Sequence, residues 1–311
     1  MAELIVVVGP TASGKTALGA AYARRVGGEV VSADAFAVYR GLDIGTAKPD
    51  ARLRGLVRHH LIDVADPAER YSAGMFVRDA DAAIADIRDR GRVPVVVGGT
   101  HFYVRALLYG LFPEPPKDAA LREELEREWG RDPGAMRSRL AGLDPAAAAR
   151  IAANDRQRTL RALEVCLTAG RPMSDLWHEH PRRNPRYGFT LLGIAPARAE
   201  LHARIETRVR QMFAAGLVDE VRGLLAGGLS SNAHALKAIG YRESCRLLAG
   251  ELTVIEAVAA AAAATRKLAK RQLTWLRGEK GVQWLAGGGD GLLADAVARG
   301  EARGGTGTGA V

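Results

Sequence analysis

Gly9-Pro10-Thr11-Ala12-Ser13-Gly14-Lys15-Thr16 decides how this chain is read. It fits G-x-x-x-x-G-K-[ST] at every fixed position, with the apolar run Leu4–Val8 before it and a helical pattern, Thr16–Val26, after it. A strand leading through such a loop into a helix aims several backbone N–H groups at one point, where the helix N-terminus adds positive potential. Phosphate oxygens fit that point. Lys15 brings charge to the terminal phosphates, and the Thr16 hydroxyl suits Mg²⁺, which keeps most of its water shell. The stretch predicts a bound di- or triphosphate without naming its owner. A chance glycine-rich turn would explain the residues but not their strand–loop–helix setting.

Outward from the loop, strands and helices alternate. Glu29–Ala33 reads as a second strand, Leu61–Val64 as a third and Val93–Val97 as a fully apolar one. Tyr71–Asp89 reads as a helix with Met75, Phe76, Ala80, Ala83, Ile84 and Ile87 on one stripe. This order predicts an α/β fold of the P-loop type, a parallel sheet flanked by helices. Prolines at 113, 115 and 116, and again from Pro181 to Pro185, bracket an almost wholly helical stretch. There Asp118, Pro133, Asp144-Pro145 and Asn154 are the expected helix starts. Phe189–Ile194 then returns as a strand, so the helical stretch reads as an insertion domain. The expected organisation is residues 1–115 as the first part of the core and 116–186 as the helical insertion. Residues 187–285 return to the core, with helices near 198–226, 234–249 and 253–277. Residues 286–311 form a Gly-rich tail, expected to be disordered, above all from Gly304 onward.

Composition bounds the function. The 311 residues are 25% charged and 48% hydrophobic, which excludes a disordered chain. No apolar run approaches the roughly 20 residues of a membrane-spanning helix, and no signal peptide is expected ahead of the first strand. Two distant cysteines, Cys166 and Cys245, give neither a disulfide framework nor a zinc ribbon. A cytoplasmic monomer is the expectation. The net charge is +9 and unevenly spread: residues 1–115 carry 14 basic and 13 acidic side chains, residues 116–311 carry 30 and 22. That basic second half attracts polyanions, nucleic acid first among them, although a solvated alkaline surface gives the same count.

Further residues carry chemistry. Asp34 ends the second strand in Ser32-Ala33-Asp34, where open α/β sheets bind ligands. It suits a general base, a Mg²⁺ ligand or a simple turn cap. Val93–Val97 runs into Gly98-Gly99-Thr100 and lacks the terminal acid of mechanical NTPases, for which Asp63 is a weak substitute. Thr100 is placed to donate to a phosphate or to cap its strand. Lys117, Arg122, Arg156, Gln157, Arg158 and Arg161 form a basic row on the insertion, fit for a phosphate backbone or for solvent. Thr265–Gln272 is a denser basic run, with Trp275 beside it to stack a base or pack a helix. His59, His60, His178, His180 and His202 read as structural.

In these residues the chain resembles the tRNA dimethylallyltransferase family, also called tRNA isopentenyltransferase. The matching segments run in order: Gly9–Thr16; Ser32-Ala33-Asp34 with Val38 to Pro49; His59 to Asp63; Val97-Gly98-Gly99-Thr100; Asn154-Asp155 with Arg161 to Val165; Ala238-Ile239-Gly240-Tyr241; and Ala269 to Gln272 with Thr274-Trp275. The resemblance implies transfer of a dimethylallyl group from its diphosphate to N6 of the adenosine beside the anticodon, position 37. The loop at Gly9, Pro10, Thr11, Ala12, Ser13, Gly14, Lys15 and Thr16, usual for ATP, would grip the prenyl diphosphate. Asp34 would be the base; Lys15, Thr16-held Mg²⁺ and the loop N–H groups would stabilise the leaving diphosphate, an arginine of the 204–210 helix, Arg208, would close its far side, and Thr100 would complete the catalytic set with Asp34, Lys15, Thr16 and Arg208. The anticodon stem-loop of tRNA would meet Asp34, Ala35, Phe36, Ala37, Thr100, Arg122 and the run Gln157, Arg158, Thr159, Leu160, Arg161, its adenine leaving the stack to react. The sequence departs from the family at Ala35 and Ala37, where Ser and Gln are usual, at His101 for Gly, and at Leu268 for Tyr. The rival readings are a P-loop kinase of a nucleotide or small metabolite and a nucleotide-switched RNA-binding protein without catalysis.

Overall fold

The computed structural model describes residues 3–111, 118–179, 184–286 and 290–304. The chain falls into two compact units, Met1–Leu108 with Arg186–Val311, and Tyr109–Pro185.

The first unit begins with β1 (Leu4–Val8), α1 (Lys15–Arg25), β2 (Glu29–Ser32), α2 (Ala51–Leu56), β3 (His59–His60), α3 (Ala73–Asp89), β4 (Pro94–Gly98) and α4 (His101–Tyr109). The described strands, with β5 (Phe189–Gly193) and β6 (Val282–Trp284), make one sheet in the order β3-β2-β4-β1-β5-β6. Every pairing is parallel; Val6 stands opposite Val96 on one side and Leu191 on the other. The apolar centres of β1 and β4 suit strands covered on both faces, and β1, β2 and β4 are buried throughout, β2 with Glu29 and Ser32 at its ends. The chain leaves β1 toward β2 on one side and later enters β5 on the other, so the carboxyl end of β1 opens at the switch point of the sheet.

The insertion folds as α5 (Ala119–Arg131), α6 (Pro133–Leu143), α7 (Pro145–Arg150), α8 (Arg156–Ala169) and α9 (Met173–Glu179). Four aspartates start four of these helices. Asp118, Asp132, Asp144 and Asp155 each accept from the backbone N–H three residues on, at 2.9, 2.9, 2.8 and 3.1 Å. The expected cap Asn154 is therefore corrected to its neighbour Asp155. The unit has its own core of Leu125, Met136, Leu140, Leu160 and Leu163.

After β5 come α10 (Arg198–Ala214), α11 (Leu217–Ala226), α12 (Tyr241–Leu248), α13 (Val254–Arg277) and α14 (Asp290–Gly304). The single helix expected near 198–226 is two, broken where Gly216 turns left-handed at φ 96°. The 234–249 segment is a short 3₁₀ turn, Ala235–Lys237, followed by α12. The third strand is His59–His60 and not Leu61–Val64, because Leu61 and Asp63 adopt φ 61° and 59° and leave the extended region. The tail expected to be disordered is helical over Asp290–Gly304. Leu292, Leu293, Ala296 and Val297 form an apolar stripe on the cluster around α1, and Ala296 is fully buried. The prolines from 113 to 116, Lys117, His180, Pro181 and the chain beyond 304 lie outside the described residues. No helix among them is long and apolar enough to cross a membrane.

Candidate active site

The loop after β1 takes its shape from two left-handed residues, Ala12 at φ 62° and Gly14 at φ 89°, and from a bond of Ser13 N–H to Pro10 C=O at 3.2 Å. A non-glycine residue in that region is uncommon, and such strain gathers at ligand sites. The Ser13 hydroxyl is buried with no hydrogen-bond partner among the described residues. Gln272, projecting from α13, ties the loop to the end of β4: its Oε1 accepts from Thr11 N–H and its Nε2 donates to Gly99 C=O, both at 2.8 Å. At Gly98 a Cβ would lie 2.1 Å from Ala33 C=O, so only glycine lets β4 come this close to β2. Dehydration at the pocket floor pushes the Lys15 ammonium down to about 8, with Asp34 pulling it up and Arg208 adding to the fall.

Asp34 organises the turn that follows β2. Its Oδ1 accepts from Phe36 N–H at 2.9 Å and Ala37 N–H at 3.1 Å, while Thr100 Oγ1 accepts from Ala35 N–H at 3.0 Å. Three successive backbone donors are thus held by two side chains, and Asp34 Oδ2 has no hydrogen bond among the described residues. This is the turn-cap role and leaves one carboxylate oxygen for chemistry. Ala35 and Ala37 enter this turn through their backbone N–H groups, which any non-proline residue supplies.

Lys15, Thr16, Asp34, Ala35, Phe36, Ala37, Thr100 and Arg208 all line one cavity of about 620 Å³ at the carboxyl ends of β1, β2 and β4. Its apolar wall comes from Met212, Phe213, Leu217, Ile239, Leu268 and Trp275. Of the three arginines between residues 204 and 210 of α10, Arg204 bonds Ser13 C=O and Glu200 and Arg210 pairs with Glu206. Arg208 has no ion pair among the described residues; burial pushes its guanidinium down and Asp34 pulls it back.

A second wall is Gly45 to Pro49. Glu220 on α11 holds it through Asp43 N–H at 3.1 Å and Ile44 N–H at 3.0 Å, and the Tyr241 hydroxyl, itself bonded to Glu220, accepts from Gly45 N–H at 3.1 Å. A Cβ at Gly45 would strike the Tyr241 ring at 2.3 Å. Lys48, 2% exposed, donates to Tyr39 C=O, Asp43 and Asp63. Asp63 also takes Arg54 at 2.8 Å. Burial raises its carboxyl, and Lys48 and Arg54 more than reverse that. With two cations on it, Asp63 is a loop anchor and not the metal acid considered above.

On the insertion, the periodicity of α8 divides the expected RNA-contacting run. Thr159 and Leu160 are fully buried, and Thr159 Oγ1 accepts from Arg137. Their side chains are corrected from RNA contacts to core. Gln157 and Arg158 are exposed, Arg158 against its own cap at 3.5 Å. Arg161 and Arg122 converge on the buried carboxylate of Glu164 at 3.0 and 3.6 Å. His60 pairs with Glu29 at 2.7 Å and His59 bonds Val57 C=O, as structural histidines do. No cluster of three metal-ligating His, Cys, Asp or Glu occurs among the described residues. Gln272, Glu220 and Lys48 are the site residues that sequence reading missed as individuals. Gln272 and Lys48 sat inside motifs that were quoted whole, while Glu220 had no signal beyond being acidic on a helix.

A phosphate loop at a sheet switch point, facing a strand-end aspartate across a half-apolar cavity, defines a P-loop protein built for group transfer. A family profile described as IPP transferase matches residues 37–279, and one described as isopentenyl transferase matches residues 2–69. The tRNA dimethylallyltransferase of Anaeromyxobacter dehalogenans is 53% identical over 91% of this chain and 95% of its own length. That of Geobacter sulfurreducens is 46% identical over 91% of each chain. The crystal structure of the tRNA isopentenylpyrophosphate transferase of Bacillus halodurans superposes with a TM-score of 0.72 at 35% identity, covering 98% of both chains. A eukaryotic dimethylallyltransferase caught acting on tRNA gives a TM-score of 0.80 at 26% identity over 92% of this chain and 74% of that one. The chain belongs to the IPP transferase family.

Proposed function

We propose that this enzyme transfers a dimethylallyl group from dimethylallyl diphosphate to N6 of the adenosine next to the anticodon of tRNA, position 37, releasing diphosphate. The observation that carries the reading is the placing of Asp34, Lys15 and Arg208 on one cavity, near enough for Asp34 to shift both cations. The curated relatives carry this activity in their names, and none of the comparisons favours the kinase reading.

The N6 lone pair attacks C1 of the dimethylallyl group. The C1–O bond breaks and its electron pair leaves on the diphosphate, while the N6 proton passes to Asp34 Oδ2. Lys15, Arg208 and the loop N–H groups meet the negative charge growing on the diphosphate. The turn of Ala35, Phe36 and Ala37, with Thr100, forms the adenine side. Arg122, Gln157, Arg158 and Arg161 hold the anticodon stem-loop by its phosphates. The residues fit Mg²⁺: Thr16 lines the cavity, its hydroxyl has no partner among the described residues, and the sparse donor set suits an ion that keeps several waters. When bound it supplies positive charge beside the diphosphate oxygens. The enzyme acts as a monomer in the cytoplasm.

The test supplies labelled dimethylallyl diphosphate, Mg²⁺ and unmodified tRNA. Label moving into RNA, and lost in Asp34→Asn, supports the proposal. Labelled γ-phosphate of ATP moving to a small acceptor instead would replace it with the kinase.

A further inference from the structure

His101 follows Thr100 directly and opens α4, and its side chain lines the same cavity. Its Nε2 is buried and has no hydrogen-bond partner among the described residues. A buried polar nitrogen without a partner costs free energy in the empty protein, and a ligand group that satisfies it recovers that cost on binding. The ring is held in place: it stacks on Trp275 with centroids 6.4 Å apart and planes 20° apart, and Arg105 lies over Trp275 at 5.2 Å. The same turn runs beside the phosphate-binding lysine, because a Cβ on Gly99 would sit 3.3 Å from Lys15 Nζ.

We propose that His101 is a further donor-binding residue of the site, its Nε2–H donating a hydrogen bond to the diphosphate of the prenyl donor. This rests on the prenyl-transfer reading above. Asp34, Ala35 and Ala37 occupy the adenine side, where the turn already has its backbone donors satisfied. His101 answers to Lys15 instead: burial first, and then the Lys15 charge, push its imidazolium down to about 4. The ring is therefore neutral near pH 7 and offers an N–H, adding a directed donor to the charges of Lys15 and Arg208. His101 thereby adds one more contact on the leaving group.

Calorimetric titration with inorganic diphosphate and Mg²⁺ tests this in the full-length protein, beside steady-state kinetics. His101→Phe keeps the stack on Trp275 and removes the N–H; His101→Gln returns a donor at similar reach; His101→Gly serves if the phenylalanine variant does not fold. The expected result is about a tenfold weaker diphosphate affinity and an equal rise in KM for dimethylallyl diphosphate in His101→Phe. KM for tRNA stays unchanged, and His101→Gln recovers most of the loss. Unchanged diphosphate affinity, or a rise confined to KM for tRNA, overturns the assignment. Lys15→Ala separates the two claims: if it too binds diphosphate normally, the loop does not grip diphosphate and the function proposed above fails with this inference.

Discussion

Gln272→Glu changes one atom and should disable the donor site. The wild-type amide spans the phosphate loop and the end of β4 with two bonds of 2.8 Å. Glutamate keeps the acceptor for Thr11 N–H but loses the donor to Gly99 C=O and adds a charge. The amide nitrogen lies 2.6 Å, and Lys15 Nζ 3.3 Å, from the Cβ position of Gly99, so the two are at most about 6 Å apart. A carboxylate at that distance interacts with a unit charge by roughly 3 kcal/mol at an effective dielectric constant of 20. It neutralises Lys15 and repels the incoming diphosphate, so about 10- to 100-fold weaker binding is expected after partial screening. Gln272→Leu provides the contrast. It leaves Thr11 N–H and Gly99 C=O unpaired without adding charge, and should cost stability, about 2–4 kcal/mol, more than affinity. Calorimetry with inorganic diphosphate at low and moderate salt, beside urea unfolding, separates the two. If Gln272→Glu binds diphosphate within twofold of wild type while folding normally, the placing of the leaving group beside Lys15 is wrong.

Asp34→Asn retains an acceptor for Phe36 and Ala37 N–H, so the turn should persist while single-turnover transfer falls at least 100-fold; undiminished transfer removes Asp34 as the base. Burial lowers the Lys15 ammonium to about 8, so diphosphate affinity should fall as pH rises through that value, and Lys15→Arg should flatten the profile, which calorimetry between pH 7 and 10 checks. The linked stability runs the other way. Between about pH 8 and the usual lysine value the unfolded chain holds the proton that the fold has lost, so folding strengthens with pH over that window. Glu220→Gln and Tyr241→Phe should not be additive, because both act on one loop through one shared bond, and a double-mutant cycle in urea should give a coupling of about 1 kcal/mol or more. On α8, Leu160→Ala should destabilise the helical unit by about 2–5 kcal/mol. Arg158→Ala should leave stability alone and lower the salt slope of tRNA binding by about 1.

The fold was legible where one physical requirement dominates the residues. Leu4–Val8 and Val93–Val97 are apolar throughout because a central parallel strand is covered on both faces. The phosphate loop is legible because its backbone geometry permits few residues. What escaped reading has no such local cause. Val282–Trp284 is a strand because β5 offers an edge beside it, and α14 is a helix because α1 offers an apolar surface under Ala296. At the site, Asp34, Lys15 and Thr100 stood in recognisable positions. Gln272 lies 261 residues from the loop N–H it holds, and Glu220 lies 177 from Asp43. Partners of that kind are made by the tertiary fold, and no spacing along the chain announces them. Thr159 and Leu160 show the reverse error, in which a motif read as a continuous run is split by helical periodicity into an outer and an inner face.

The central claim is that this cavity brings a prenyl diphosphate and a tRNA adenine together. The direct measurement is mass analysis of nucleosides after the enzyme has been incubated with Mg²⁺, dimethylallyl diphosphate and unmodified tRNA whose anticodon is followed by adenosine. The account predicts one new adenosine species, heavier by a single dimethylallyl unit and confined to position 37. Unmodified RNA, or the same species scattered over other adenosines, would contradict it.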